Sequence, residues 1–177
     1  MNSRLKFDIE NIKSHTYLMG LDEVGWGCIA GDLVLGAVVI HKTFYQEIES
    51  WLIDHPWLLD VRDSKKLSEK KRKVIIEKFQ SMNKKGLLIS LIGQANIEEI
   101  NALGLAKAFD VCVQRILEKS PSEMLILLDG KRVPGSLKGQ NVQLVIKGDD
   151  TSFAIGLASV LAKVYRDDLM DRLHSVN

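Results

Sequence analysis

The chain has 177 residues, 46% of them hydrophobic and 27% charged, which suits one well-buried core and is short for two. The formal net charge is +1 and the sequence pI about 7.8, so neither a polyanion-coating protein nor an acidic disordered one is indicated. No stretch reaches the roughly 18 apolar residues of a membrane span and the N-terminus lacks a signal-peptide core, so a cytoplasmic protein with no membrane partner is expected.

Residues 1–15 read as an N-terminal lead-in. Thr16 to Val24 reads as a strand, and Leu33 to His41 as a second, with a connection short enough for an antiparallel hairpin. Gln46 to Ile53 reads as a short helix stopped near Pro56. Ser68 starts a helix to about Met82, with apolar Val74, Ile75 and Phe79 in periodic positions. Gly86 then opens a strand over Leu87 to Ile92. Asn96 to Leu117 is helical in pattern but interrupted near Asn-Ala-Leu-Gly. "EMLILLDG" is a short apolar run ending in Asp129, the mark of a buried central strand. "NVQLVIKGDD" repeats that device, and Asp149 falls just ahead of a last helix from about Ser152 to Leu173. Strands first paired as a hairpin and later alternating with helices predict an α/β fold: a mixed sheet flanked by helices in a single domain spanning 1–177.

Charge is unevenly distributed along this order. Val61 to Lys85 holds ten Lys and Arg against three Asp and Glu, a local balance of +7, and leaves −6 for the other residues. Such asymmetry is the footprint of a nucleic-acid contact, although an exposed amphipathic helix solvated by its lysines has the same composition. Cys28 and Cys112, 84 positions apart, fit neither a zinc site nor a disulfide framework and read as reduced thiols.

Carboxylates gather where strands end. Asp22 and Glu23 close the first strand, Asp129 closes another and Asp149 follows a third. Converging carboxylates repel unless a cation neutralises them, and Mg²⁺ or Mn²⁺, hard ions that take oxygen ligands, meets that need. Two such ions serve phosphodiester hydrolysis. One objection is geometric: neighbours on a strand point to opposite faces, so Asp22 and Glu23 converge only if the backbone bends at Gly25 and Gly27. Gly25-Trp26-Gly27-Cys28-Ile29-Ala30 also fits a dinucleotide-binding fingerprint, but that fingerprint needs a helix next, and a strand follows.

"GLDEVGWGCIAG", "DSKKLSEKKR", "LLDGKR", "KGDD" and "ASVLAKVYRDDLM" together resemble the successive motifs of the ribonuclease HII family, in its order. The resemblance implies a ribonuclease H-like fold and metal-dependent hydrolysis, by a two-metal mechanism, of RNA strands in RNA/DNA hybrids or of ribonucleotides embedded in duplex DNA. It places the metal-binding catalytic carboxylates on Asp22, Glu23, Asp129 and Asp149. It places backbone-phosphate contacts on Asp63, Ser64 and Lys65, and a last-helix motif on Lys163 and Arg166. Counted along a helix, those last two lie about 20 Å or more from Asp149, which makes them fold residues or distal phosphate contacts.

Two departures stand out. The family's Gly-Arg-Gly turn, which grips the 2′-hydroxyl and phosphate at the RNA-to-DNA junction, reads Gly25-Trp26-Gly27, so weakened junction specificity is expected. Trp26 either stacks on a sugar or base or packs against the protein body. The family's C-terminal tyrosine has no counterpart, since Tyr165 sits within the last helix. An active monomeric nuclease is the leading reading; the alternative is a catalytically weak or inactive nucleic-acid-binding homologue of the same fold.

Overall fold

In the computed structural model, residues 1–26, 31–82 and 86–175 are described. Eight helices and five strands are found among them: α1 (Ser3–Ile12), β1 (Tyr17–Val24), β2 (Leu33–His41), α2 (Lys42–Gln46), α3 (Ile48–Asp54), α4 (Glu69–Met82), β3 (Leu88–Ala95), α5 (Ile97–Leu103), α6 (Leu105–Leu117), β4 (Leu125–Asp129), β5 (Val142–Val145), α7 (Gly148–Thr151) and α8 (Phe153–Ser175). The strands form one sheet in the order β3-β2-β1-β4-β5. β1, β2 and β3 pair antiparallel, as the short connection between the first two requires, whereas β4 and β5 join parallel to β1 and to each other. This mixed sheet with helices on both faces is the α/β architecture that the order of elements predicts.

Side-chain alternation along the strands builds two cores. Leu18, Val38 and Ile40 turn toward α8, where they meet Phe153, Leu157 and Leu161. Met19, Leu21 and Leu35 turn the other way and pack on Phe109, Cys112 and Ile116 of α6. Fully burying each such side chain contributes roughly 1.5 to 3 kcal/mol. The α8 layer lies very close to the sheet. A Cβ on Gly20 would stand 2.3 Å from the Ala154 carbonyl carbon, and one on Gly36 2.3 Å from the Ala158 oxygen, so only glycine fits under the helix at either place.

Several expectations are corrected. The stretch 1–15 is not a featureless lead-in: α1 occupies it, capped by the Asn2 side chain, with Leu5, Asp8 and Ile12 buried on one face. Asp8 carries the docking, accepting from the Tyr45 hydroxyl at 2.9 Å and from the Ala154 N–H at 2.8 Å, so that it caps the start of α8. The helix expected over Gln46 to Ile53 is α3, with a further short helix, α2, ahead of it, and β3 runs on to Ala95. The interruption near Gly104 is present: that residue has φ 78° and separates α5 from α6. Among the described residues, no helix is long and apolar enough to cross a membrane.

Candidate metal centre and nucleic-acid interface

The strand register puts two of the four carboxylates side by side. Leu21 of β1 is level with Leu128 of β4 in the parallel pair, so the next residues, Asp22 and Asp129, are neighbours on one face, the face toward α8. The third carboxylate arrives from β5. The chain leaves that strand through Lys147, at φ 54° in the left-handed region, and Gly148, whose N–H donates to Asp129 Oδ1 at 2.9 Å. Asp149 follows within α7, a separate single turn ahead of α8 rather than a loop residue. One ligand oxygen from each of Asp22, Asp129 and Asp149 lies within 4.8 Å of the others.

Their electrostatics are those of acids forced together. Burial, and then the neighbouring Glu23, Asp129 and Asp149, push the Asp22 carboxyl up to about 8, while a hydrogen bond from Ser159 acts in the opposite direction. Asp149 is raised by desolvation and by Asp63, Asp129 and Asp150, and Glu23 by desolvation and Asp129; the Lys65 ammonium opposes both shifts. Three hard oxygen donors within 4.8 Å of one another, held by backbone N–H and hydroxyl groups and short of positive charge, fit a hard divalent cation. Glu23 obeys the pleat: it points to the α6 face and is not one of the converging three.

The basic segment reaches this centre through a 3₁₀ turn, Ser64–Lys66, capped by Asp63, whose Oδ1 accepts from the Lys65 N–H at 2.9 Å. Ser64 is buried at 4% exposure and its hydroxyl is bonded to that of Ser159 at 3.0 Å, so it supports Asp22 indirectly and faces inward. Arg72 anchors the turn from α4, donating to the carbonyls of Ser64 (3.1 Å) and Leu67 (2.8 Å) and pairing with Asp167 at 3.1 Å. Lys163 joins the same network through Asp167 at 2.6 Å. Lys66 is paired with Asp150, next to the carboxylates.

On the other side lies the glycine turn. Gly25 has φ 102°, and a Cβ there would come within 2.8 Å of the Asp32 carbonyl oxygen. Trp26 is 53% exposed and meets Phe109 edge to face, with ring centroids 5.6 Å apart. Arg166 reaches the turn from α8: its Nε donates to the Asp32 carbonyl at 3.3 Å, and its head group passes within 3.2 Å of where a Cβ on Gly25 or Gly31 would stand. Gly27 and Cys28 lie outside the described residues.

A family model described as ribonuclease HII matches residues 19–177. The chain belongs to the ribonuclease HII family. A relative named ribonuclease HII from a Wolbachia pipientis strain of Culex pipiens is 36% identical over 171 residues, covering 96% of this chain and 77% of its own. Solved structures agree on the fold. The PCNA:RNase HII complex from Archaeoglobus fulgidus matches at TM-score 0.67 and 24% identity, covering 89% of this chain and 75% of that one. The ribonuclease H2 of Pyrococcus horikoshii OT3 matches at TM-score 0.65 and 23% identity, with 90% and 76% covered. The protein is accordingly a type 2 ribonuclease H endonuclease by family.

Three of the four expected carboxylates converge, with Glu23 beside them on the opposite face. Lys65 is near enough to lower two of the acids, whereas Lys163 is held in a structural network. Arg166 touches the turn between β1 and β2 through the Asp32 carbonyl. Ser159 and Arg72 had gone unnoticed. Ser159 has a visible signal, being the one hydroxyl in the apolar run "AIGLASVLA". Arg72 has none, since any of four consecutive basic residues, Lys70 to Lys73, had equal claim.

Proposed function

We propose that the protein is a Mg²⁺- or Mn²⁺-dependent endoribonuclease acting on the RNA strand of RNA/DNA hybrids or on ribonucleotides embedded in duplex DNA. The convergence of Asp22, Asp129 and Asp149 carries this reading. Those three residues, with Glu23 adjoining, would hold the metal. When bound there, one or two hard divalent ions supply Lewis-acid polarisation of the phosphodiester and an acidified water.

The chain's own groups do the rest. Ser159 fixes Asp22, and the Gly148 N–H fixes Asp129. Lys65, held within a capped turn, brings positive charge to the rim where a backbone phosphate would approach. Trp26 in place of the family's arginine removes a fork of donors from the junction-reading turn, which supports weaker discrimination of a single embedded ribonucleotide from a run. Cys112, a buried free thiol whose pKa burial pushes up to about 12, suits a reducing cytoplasm.

Purified protein with Mg²⁺ or Mn²⁺ should be incubated with labelled duplexes carrying zero, one or four ribonucleotides, or a full RNA strand. Cuts confined to ribonucleotide-containing strands are expected, with the single-ribonucleotide duplex cut least efficiently. Absence of cleavage in all four, with either ion, would leave only the binding homologue.

A further inference from the structure

Two clefts differ in kind. The larger, about 720 Å³, runs along β3 and is bordered by Arg115 and Glu99, which satisfy each other at 2.6 Å. The smaller, about 480 Å³, lies on the α6 face of the sheet, walled by Trp26, Phe109, Leu128 and Pro134, and it shares Glu23 and Asp129 with the carboxylate site. Its volume is that of a small-molecule pocket. An occupant of this cleft would lie beside the carboxylates, where the proposed function puts the scissile phosphodiester.

We propose that this cleft receives a nucleobase lifted out of the duplex stack next to the scissile phosphate, stacked against the Trp26 indole, with Lys131 and Arg132 toward its flanking phosphates. The proposal rests on the function above, since it needs a nucleic acid at the carboxylates. Trp26 is positioned without being covered: the edge-to-face contact with Phe109 orients the ring, and about half of its surface remains open. Lys131 and Arg132 are both exposed and line the cleft, placing cations where an extrahelical nucleotide carries its charge. Besides Glu23 and Asp129 the cleft carries the Asp110 carboxylate, which is engaged by the Ser136 N–H at 2.9 Å and hydroxyl at 2.7 Å. Capture therefore works through a π-face, which every base has, and is tolerant of sequence. It should be easiest where the base is already poorly stacked, as at a mismatch.

The test uses the intact chain. Single-ribonucleotide duplexes carrying 5-iodouracil in turn at each position within two of the ribonucleotide are bound to Asp149→Asn protein in Mg²⁺ and irradiated, and the crosslinked residue is mapped by mass spectrometry. A crosslink to Trp26 from one position is expected. In parallel, steady-state cleavage is measured with Trp26 variants whose melting temperatures match the parent. Trp26→Ala should raise KM roughly five- to a hundredfold, the range that base–aromatic stacking commands, and Trp26→Phe should restore most of it. A mismatch beside the ribonucleotide should speed the parent and not Trp26→Ala. Retained duplex that crosslinks only to Lys131 or Arg132, or an unchanged KM in Trp26→Ala, overturns the cleft assignment while the nuclease reading stands. If the unaltered protein cuts none of the duplexes, both readings fall.

Discussion

Two buried carboxyl groups invite comparison: Asp8, beneath the start of α8, and Asp22, at the end of β1. Burial raises both, Asp8 to about 7 and Asp22 to about 8. Their company differs. Asp8 is met by donors, the Tyr45 hydroxyl and the Ala154 N–H among them, whereas Asp22 is met by Glu23, Asp129 and Asp149. Upward displacement from the ordinary carboxylate range thus separates nothing by itself. A ring of donors marks a group that completes the fold; a ring of like charges marks one awaiting a cation.

The sharpest way to break this comparison is to neutralise one acid of the ring. Asp129→Asn should lower cleavage by roughly a thousandfold or more, since metal-derived charge stabilisation is worth several kcal/mol. In EDTA the same variant should melt no lower than its parent, because one repulsion has been removed. Divalent ion at about a hundred times its Kd should raise the parent's stability by about 2.7 kcal/mol, and this gain should persist in Asp8→Asn and disappear in Asp129→Asn. An equal gain in all three proteins would place the ion elsewhere.

Next in size is the pH dependence of Asp8. Its folded-state carboxyl is raised from 3.8 to about 7, so between those values the native state holds a proton that the unfolded chain has released. The contribution is therefore complete below about pH 4 and is lost as pH rises toward 7, by about 1.4 kcal/mol per unit and some 4 kcal/mol in all. Urea unfolding in EDTA at pH 5, 6 and 7 should show a steeper decline for the parent than for Asp8→Asn. Parallel curves would mean that the donors hold Asp8 ionised. The smallest effect belongs to Lys65, whose ammonium opposes the rise of both Glu23 and Asp149: Lys65→Ala should reduce the log–log salt slope of hybrid binding by about 0.9, one phosphate contact, in a fluorescence titration. An unchanged slope would return the basic segment to the solvent.

What could be read without coordinates was the part that depends on strand ends. Asp22 and Asp129 each terminate an apolar run, and parallel pairing of those runs is enough to bring them together. Asp8 was illegible because its partners lie 37 and 146 residues away, and α1 has only three buried positions to set a pattern. The buried role of Ser64 was hidden for a related reason. Its motif neighbour Lys65 faces the acids, and only the capped 3₁₀ turn shows that alternate residues of the motif point in and out. Trp26 stood between two expectations, stacking and packing, and the structure places it against Phe109 with half its surface open.

The contact of α8 with the sheet at Gly20 and Gly36 has a consequence for how this molecule can vary. A spacing made by side chains can be lengthened a methylene at a time, but at these two points backbone rests on backbone, 2.3 Å from any added carbon. The height of the helix above the strands is a gauge that no substitution elsewhere in the core resets, and Ser159, one residue beyond Ala158, inherits it in meeting Asp22. Melting temperature can thus drift or be engineered through either core while the spacing of the carboxylates keeps its dimension. Gly20→Ala or Gly36→Ala, small as they are, would change the tool rather than its handle.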